Sequence, residues 1–167
     1  MTKSDFGFII KSDFGFYMDG DKMTNDEKST VWGKYYKEEG EIYNKVFATF
    51  GISDSANRVL YSVCEKEGGC SQNDICDEWF MPKQTTNSAV LSLVKKGLVE
   101  QRQCDGKGNR KIIVLTKQGD EFCDKTIRRL IKAEKNAFFK LNDDEAEALI
   151  KLYSKYLNFL RDEFNKL

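Results

Sequence analysis

The 167-residue chain contains no histidine. That removes the commonest general base, the commonest metal ligand and every Ser-His-Asp or Cys-His arrangement. Catalysis would have to rest on carboxylates, Lys, Tyr or Cys. Asp143, Asp144 and Glu145 read as a helix start that complements the helix dipole, and Glu38, Glu39 and Glu41 as a solvated face. Neither group makes a general acid–base pair, so the expectation is a protein that is not an enzyme. The five cysteines, Cys64, Cys70, Cys76, Cys104 and Cys123, form no Cys-x-x-Cys pair. No metal site and no cofactor is expected from them. Cys64 reads as a small buried hydrophobe, while Cys70, Cys76 and Cys104 are the thiols expected at the surface.

The odd thiol count and the absence of a signal-like apolar stretch suggest reduced cysteines and a cytoplasmic location with no membrane partner. Net charge is zero, with 27 basic and 27 acidic residues, but the sum hides unlike parts. Residues 83–111 carry a net +5, whereas residues 1–82 carry −6. A compact basic segment sits on an otherwise acidic or neutral chain.

The elements that must carry this segment can be read from periodicity. Residues 1–26 form an N-terminal extension containing a duplicated KSDFGF, at Lys3–Phe8 and again at Lys11–Phe16. One pair of copies is too short for a repeat architecture. From Glu27 to Phe50 apolar and aromatic residues recur at helical spacing, and Gly51 stops the run. Ser53 can cap a second helix with Ala56, Val59, Leu60 and Val63 inward. Ser71 caps a short third helix through Trp79, and Pro82 opens a fourth that ends at Gly97. Leu98–Cys104 and Lys111–Leu115 are short strand-like runs around a turn-forming Asp105-Gly106-Lys107-Gly108-Asn109, which predicts a hairpin. Thr116 caps a long helix carrying Phe122, Cys123, Ile127, Leu130, Ile131, Ala137 and Phe138, and Asn142 with Glu145 opens the last.

Helix-turn-helix followed by a two-stranded hairpin is the winged-helix order. The run Gln84–Val99 (QTTNSAVLSLVKKGLV) and the motif Leu115-Thr116-Lys117-Gln118-Gly119 resemble the recognition helix and the Leu-Thr-x-x-Gly of the MarR family of bacterial transcriptional regulators. The resemblance covers all but the extension. It implies a mainly α (α+β) fold, with a winged helix-turn-helix DNA-binding lobe at 51–118 and helical dimerisation regions at 27–50 and 119–167. Two departures stand out. Lys107, Gly108 and Asn109 occupy positions where many members carry Asp-x-Arg, leaving Arg110 one place late, and Ser88 stands where arginine is common.

In a helix from Lys83 to Lys96, Ala89, Val90, Leu93 and Val94 fall on the core side, with Lys83, Gln84, Thr85, Asn87, Ser88, Ser92 and Lys95 outward. Gln and Asn can pair bidentately with adenine and Thr can pack on a thymine methyl, so Gln84, Thr85 and Asn87 are the candidates for base readout. Lys83, Lys95, Lys107, Arg110 and Lys111 would neutralise phosphates, and Ser71 and Gln72 could offer backbone amides to one. The competing reading of the same residues is an ordinary solvated helix face and charged turn.

The apolar stripes of the first and last helices exceed what one small lobe can cover, which predicts a homodimer. Val46, Phe47, Ile131, Phe138, Leu149, Tyr153, Tyr156, Leu157, Leu160 and Phe164 are its candidate interface, and double-stranded DNA with a pseudo-palindromic operator its partner. The resemblance further implies a repressor relieved by a small-molecule effector. Trp32, Tyr35, Tyr36 and Tyr43 could line a pocket for a small aromatic ligand, although an aromatic stripe at helical spacing is more often dimer core. The alternatives are a thiol-oxidation-sensing regulator and a winged-helix protein-interaction scaffold that has lost DNA readout.

Overall fold

The computed structural model describes residues 23–103 and 111–167. Most of the N-terminal extension, including both KSDFGF copies, lies outside them, as do Cys104, Lys107, Arg110 and the hairpin turn. The chain divides after Asn44 into two compact units.

Helix α1 (Asn25–Phe50) supplies nearly all of what is described of the first unit. It starts because Thr24 and Glu27 cap one another: the Thr24 amide donates to Glu27 Oε2 at 2.8 Å and the Glu27 amide to Thr24 Oγ1 at 3.3 Å. It ends at Gly51, whose φ of +69° is open to glycine at little cost. No residue of α1 is buried.

In the second unit, α2 (Asp54–Glu65) begins at Ser53, whose Oγ accepts from the Ala56 amide. The predicted stripe of Ala56, Val59, Leu60 and Val63 is buried. Strand β1 (Cys70–Ser71), α3 (Gln72–Trp79), α4 (Lys83–Lys95), β2 (Val99–Gln103) and β3 (Lys111–Leu115) follow. The wing strands pair antiparallel in a register from Val99 opposite Leu115 to Gln103 opposite Lys111. The two-residue β1 adds to the other edge of β3, Cys70 opposite Ile113, giving the order β1-β3-β2. A Cβ on Gly69 would stand 2.3 Å from the Ile113 carbonyl oxygen, so only glycine permits this approach. Val59, Leu60, Ile75, Val90, Leu93, Val99, Ile113 and Ile127 form the centre of one core shared by helices and sheet.

The single long helix expected after Thr116 is instead two, α5 (Lys117–Lys125) and α6 (Ile127–Phe138), broken at Thr126. There φ and ψ are −129° and −89°, the Thr126 hydroxyl donates to the Phe122 carbonyl at 2.7 Å, and its amide reaches only to Cys123. A threonine that satisfies itself against the preceding turn competes with helix continuation. Helix α7 (Asp143–Phe164) opens with the expected Asn142–Glu145 capping box and buries none of its residues. Among the described residues no helix is long and apolar enough to cross a membrane.

Candidate nucleic-acid interface

The helix-turn-helix is fixed by contacts at both ends of its turn. At the start of α3, Ser71 and Asp74 form a reciprocal capping box, with the Ser71 amide donating to Asp74 Oδ2 at 2.8 Å. At the turn, Phe80 adopts a left-handed conformation at φ 51° and the Met81 amide returns to the Cys76 carbonyl. Gln72 Nε2 donates to the Lys83 carbonyl at 3.1 Å, tying the first turn of α3 to the first turn of α4. Thr86, buried on α4, donates to the Pro82 carbonyl and accepts from the Cys76 thiol at 3.3 Å. Opposite, Trp79 Nε1 donates to Ser62 Oγ at 2.8 Å while its ring meets Tyr61 edge-on, so α3 is held to α2.

These contacts set the rotation of α4. Its buried line is Thr86, Ala89, Val90 and Leu93. Val94, expected on the core side, is exposed, and Thr86 takes the inward place one turn before Val90 because Cys76 and Pro82 satisfy its hydroxyl. Lys83, Gln84, Thr85, Asn87, Ser88, Ser92 and Lys95 are all exposed, a mostly polar face that Leu91, also exposed, interrupts. Lys111, at the start of β3, is exposed as well. Ser71 is buried, with its amide and hydroxyl both engaged by Asp74, and therefore offers no amide to a phosphate. Gln72 acts as the bracket between α3 and α4.

The Leu-Thr-x-x-Gly motif joins this helix to the rest of the unit. Thr116 Oγ1 donates to the Gly97 carbonyl at 2.5 Å and accepts from the Gly119 amide at 3.0 Å, while the Thr116 amide donates to the Leu98 carbonyl. Gly119 lies so close to Leu98 that a Cβ would fall 1.7 Å from its carbonyl oxygen. The exit of α4 is thus pinned to the first turn of α5.

Of the residues read as a dimer interface, Ile131 belongs to the core of the second unit, and Val46, Phe47, Leu157 and Leu160 are half-buried. Phe138, Leu149, Tyr153, Tyr156 and Phe164 are exposed, joined by Ile150, Leu152 and Phe159. Of the aromatic set on α1, Tyr36 and Tyr43 share a shallow open depression of about 360 Å³, and Trp32 and Tyr35 do not line it. A second cavity, of about 480 Å³, lies within the second unit among Cys64, Lys66, Gly69, Arg102, Val114 and Arg128.

The thiols differ from expectation. Cys70 and Cys76 are buried, Cys70 because β1 pairs with β3 and Cys76 because α3 packs on α4. Burial pushes the Cys70 thiol up to about 11. Cys64 is half-buried instead of enclosed and lines the larger cavity.

A helix pair locked at its turn, a second helix with an exposed, mostly polar face, and an antiparallel wing define the winged helix-turn-helix class. Residues 50–108 match the model of the MarR family. An HTH-type transcriptional regulator of Bacillus subtilis, YwoH, is 25% identical over 114 residues, covering 68% of this chain and 82% of that relative. A MarR family regulator from Neisseria meningitidis shares the fold with a TM-score of 0.67 at 17% identity, over 83% of this chain and 97% of that one. The Staphylococcus aureus MepR–DNA complex shares it with a TM-score of 0.65 at 22% identity, over 82% and 99%. The matched family model and these relatives are of transcription regulators.

Proposed function

We propose that this protein is a cytoplasmic, homodimeric regulator that binds a pseudo-palindromic site in double-stranded DNA and represses transcription until a small aromatic effector releases it. The observation that carries the DNA reading is the exposed row Lys83, Gln84, Thr85, Asn87 and Ser88 on the first turns of α4, which is the part of a recognition helix that meets base edges. Gln84, Thr85 and Asn87 read bases and Lys83, Lys95 and Lys111 meet phosphates, while Lys107 and Arg110, outside the described residues, add two positive charges to the same stretch of sequence. The DNA complex of MepR, which has the same fold, supports the assignment.

The exposed apolar face of α7 supports a dimer built on the terminal helices at 27–50 and 119–167, with 51–118 as the DNA lobe. An effector among the α1 aromatics would act by changing the spacing of the two recognition helices. A gel-shift titration of the full chain against its own upstream DNA tests the proposal. It expects a saturable shift whose affinity falls steeply as salt rises. Absence of any shift at low salt on every upstream fragment would sink it.

A further inference from the structure

Among the described residues of 51–137, the exposed large apolar side chains are Phe80, Leu91 and Val94, all in the helix-turn-helix. A lone exposed leucine is ordinary on a protein surface. The place of Leu91 is not. Thr86, Ala89, Val90 and Leu93 are the buried line of α4, and at about 3.6 residues per turn Gln84, Ser88, Leu91 and Lys95 form the line opposite to it. Leu91, 55% exposed, therefore stands at the centre of the outward face, with polar residues one turn before and one turn after it. Phe80 belongs to the turn before α4, and Val94 lies at the edge of that face.

We infer that Leu91 is a specificity-determining residue that packs on the C5-methyl group of thymine in the major groove. The inference rests on the reading of α4 as a recognition helix and adds a residue to it. Leu91 lies about 12 Å along the helix axis from Lys83, within the span of a major groove about 12 Å wide. Lys95, one turn further on, is the residue proposed to meet a phosphate. Leu91 thus falls between the base readers and the backbone. The thymine methyl lies in that same zone, because C5 is the groove-edge atom nearest to the base's own sugar.

The chemistry of the side chain selects the base. Leucine has no donor or acceptor, so it cannot pair with N7, O6, O4 or an exocyclic amine. Pressed against the cytosine amine or guanine O6, it would strip water from a polar group and return no hydrogen bond. Against a methyl, both partners withdraw apolar surface from water, which is worth about fourfold in affinity for each methyl buried. No acidic residue occurs in α4, so no charge on this helix repels the strand that carries the methyl. Leu91 is not part of the lobe's core, and the contact unpacks nothing. Gln84 and Asn87 select by hydrogen bonds; Leu91 selects by their absence.

The test synthesises the upstream fragment that the full chain shifts once with thymine and once with uracil, which lacks only the C5-methyl. Each duplex is titrated with the parent and with Leu91→Ala, a change that puts the best helix former at an exposed position and keeps the fold. The parent should bind the uracil duplex more weakly, by about fourfold for each methyl contacted, and Leu91→Ala should lose most of that ratio. Methyl contacts by Thr85, and any effect of uracil on duplex shape, act on both proteins and cancel in the comparison. Leu91→Met, still apolar and of similar size, should keep the parent's ratio. Equal thymine-to-uracil ratios for the parent and Leu91→Ala overturn the inference while leaving DNA binding intact. Absence of a shift on both duplexes defeats the DNA reading and this inference with it.

Discussion

The Thr116 hydroxyl donates a 2.5 Å hydrogen bond to the Gly97 carbonyl while accepting one from the Gly119 amide. One side chain therefore caps α5 and closes the C-terminal end of the candidate recognition helix, so loss of the hydroxyl removes both effects. Thr116→Val should destabilise the lobe by about 1–3 kcal/mol, the sum of a lost helix cap and a carbonyl left unsatisfied at a half-buried site. Thr116→Ser, which keeps the oxygen, should recover most of it. Thermal denaturation of the three proteins under identical conditions checks this, and equal midpoints for Val and Ser would refute the double role.

Gly119 is the stricter half of the motif. Its missing side chain admits the Leu98 carbonyl to a position 1.7 Å from where a Cβ would sit, and the obstacle is backbone rather than a flexible tip. Gly119→Ala must push α5 away from the exit of α4. The expected cost is about 3 kcal/mol or more, placing it among the severe substitutions. Urea titration reads it as a lower midpoint. A stability change within roughly 0.5 kcal/mol of the parent would contradict the close approach.

These local devices were the most legible part of the sequence. Ser53, Ser71, Thr116 and Asn142 each cap the helix that follows, because capping depends on a side chain and an amide two or three residues away. The α2 stripe and the hairpin strands follow from period alone. What escaped depends on partners distant in the chain. Strand β1 is two residues long and exists only because Ile112 and Ile113, some forty residues later, pair with it; its formation is also what buries Cys70. The swap of Val94 for Thr86 on the inner line of α4 required knowing that Cys76 and the Pro82 carbonyl would satisfy a hydroxyl there. The break at Thr126 looked like helix because its flanking residues keep the apolar period. The exposed row Gln84, Thr85, Asn87 and Ser88 was legible because the helix phase shift moved only its rear edge.

If α4 reads bases, its two kinds of polar residue should fail differently. Gln84→Ala or Asn87→Ala should each cost about 1–3 kcal/mol on the preferred site and much less on unrelated duplex, narrowing the ratio between them. Lys95→Ala should weaken binding to both duplexes alike and reduce the salt slope by about one counterion. Fluorescence anisotropy across a salt series separates the two patterns. Uniform losses for Gln84 and Asn87 would mean that they position the helix without reading sequence.

The exposed face of α7 makes a separate prediction about assembly. Leu149, Tyr153 and Phe164 lie on a helix with no buried residue, and exposed apolar surface of that extent favours a self-complementary partner. Tyr153→Glu with Leu149→Glu should shift sedimentation toward the monomer while leaving the helical signal of the lobe in place, because neither residue belongs to its core. A parent protein that sediments as a monomer at micromolar concentration would refute the dimer directly.

Cys70 gives the fold a dependence on alkaline pH whose sign can be worked out. Burial beneath the β1–β3 pairing raises its thiol from 9.0 to about 11, with Lys66 opposing and Glu78 and Asp74 adding to the shift. Between those values the unfolded chain has released the proton and the folded chain has not. Unfolding therefore releases a proton, and stability falls as pH climbs from about 9 toward 11. Two units correspond to about 2–3 kcal/mol of lost stability across that window. Lysine and tyrosine titrate nearby, so the informative quantity is a difference. Cys70→Ala should start less stable at pH 8, from the small cavity it leaves, yet lose less stability than the parent by pH 11. Urea titrations of both proteins at pH 8, 9, 10 and 11 measure it, and parallel curves would show that the thiol ionises as freely in the folded lobe as in the unfolded chain.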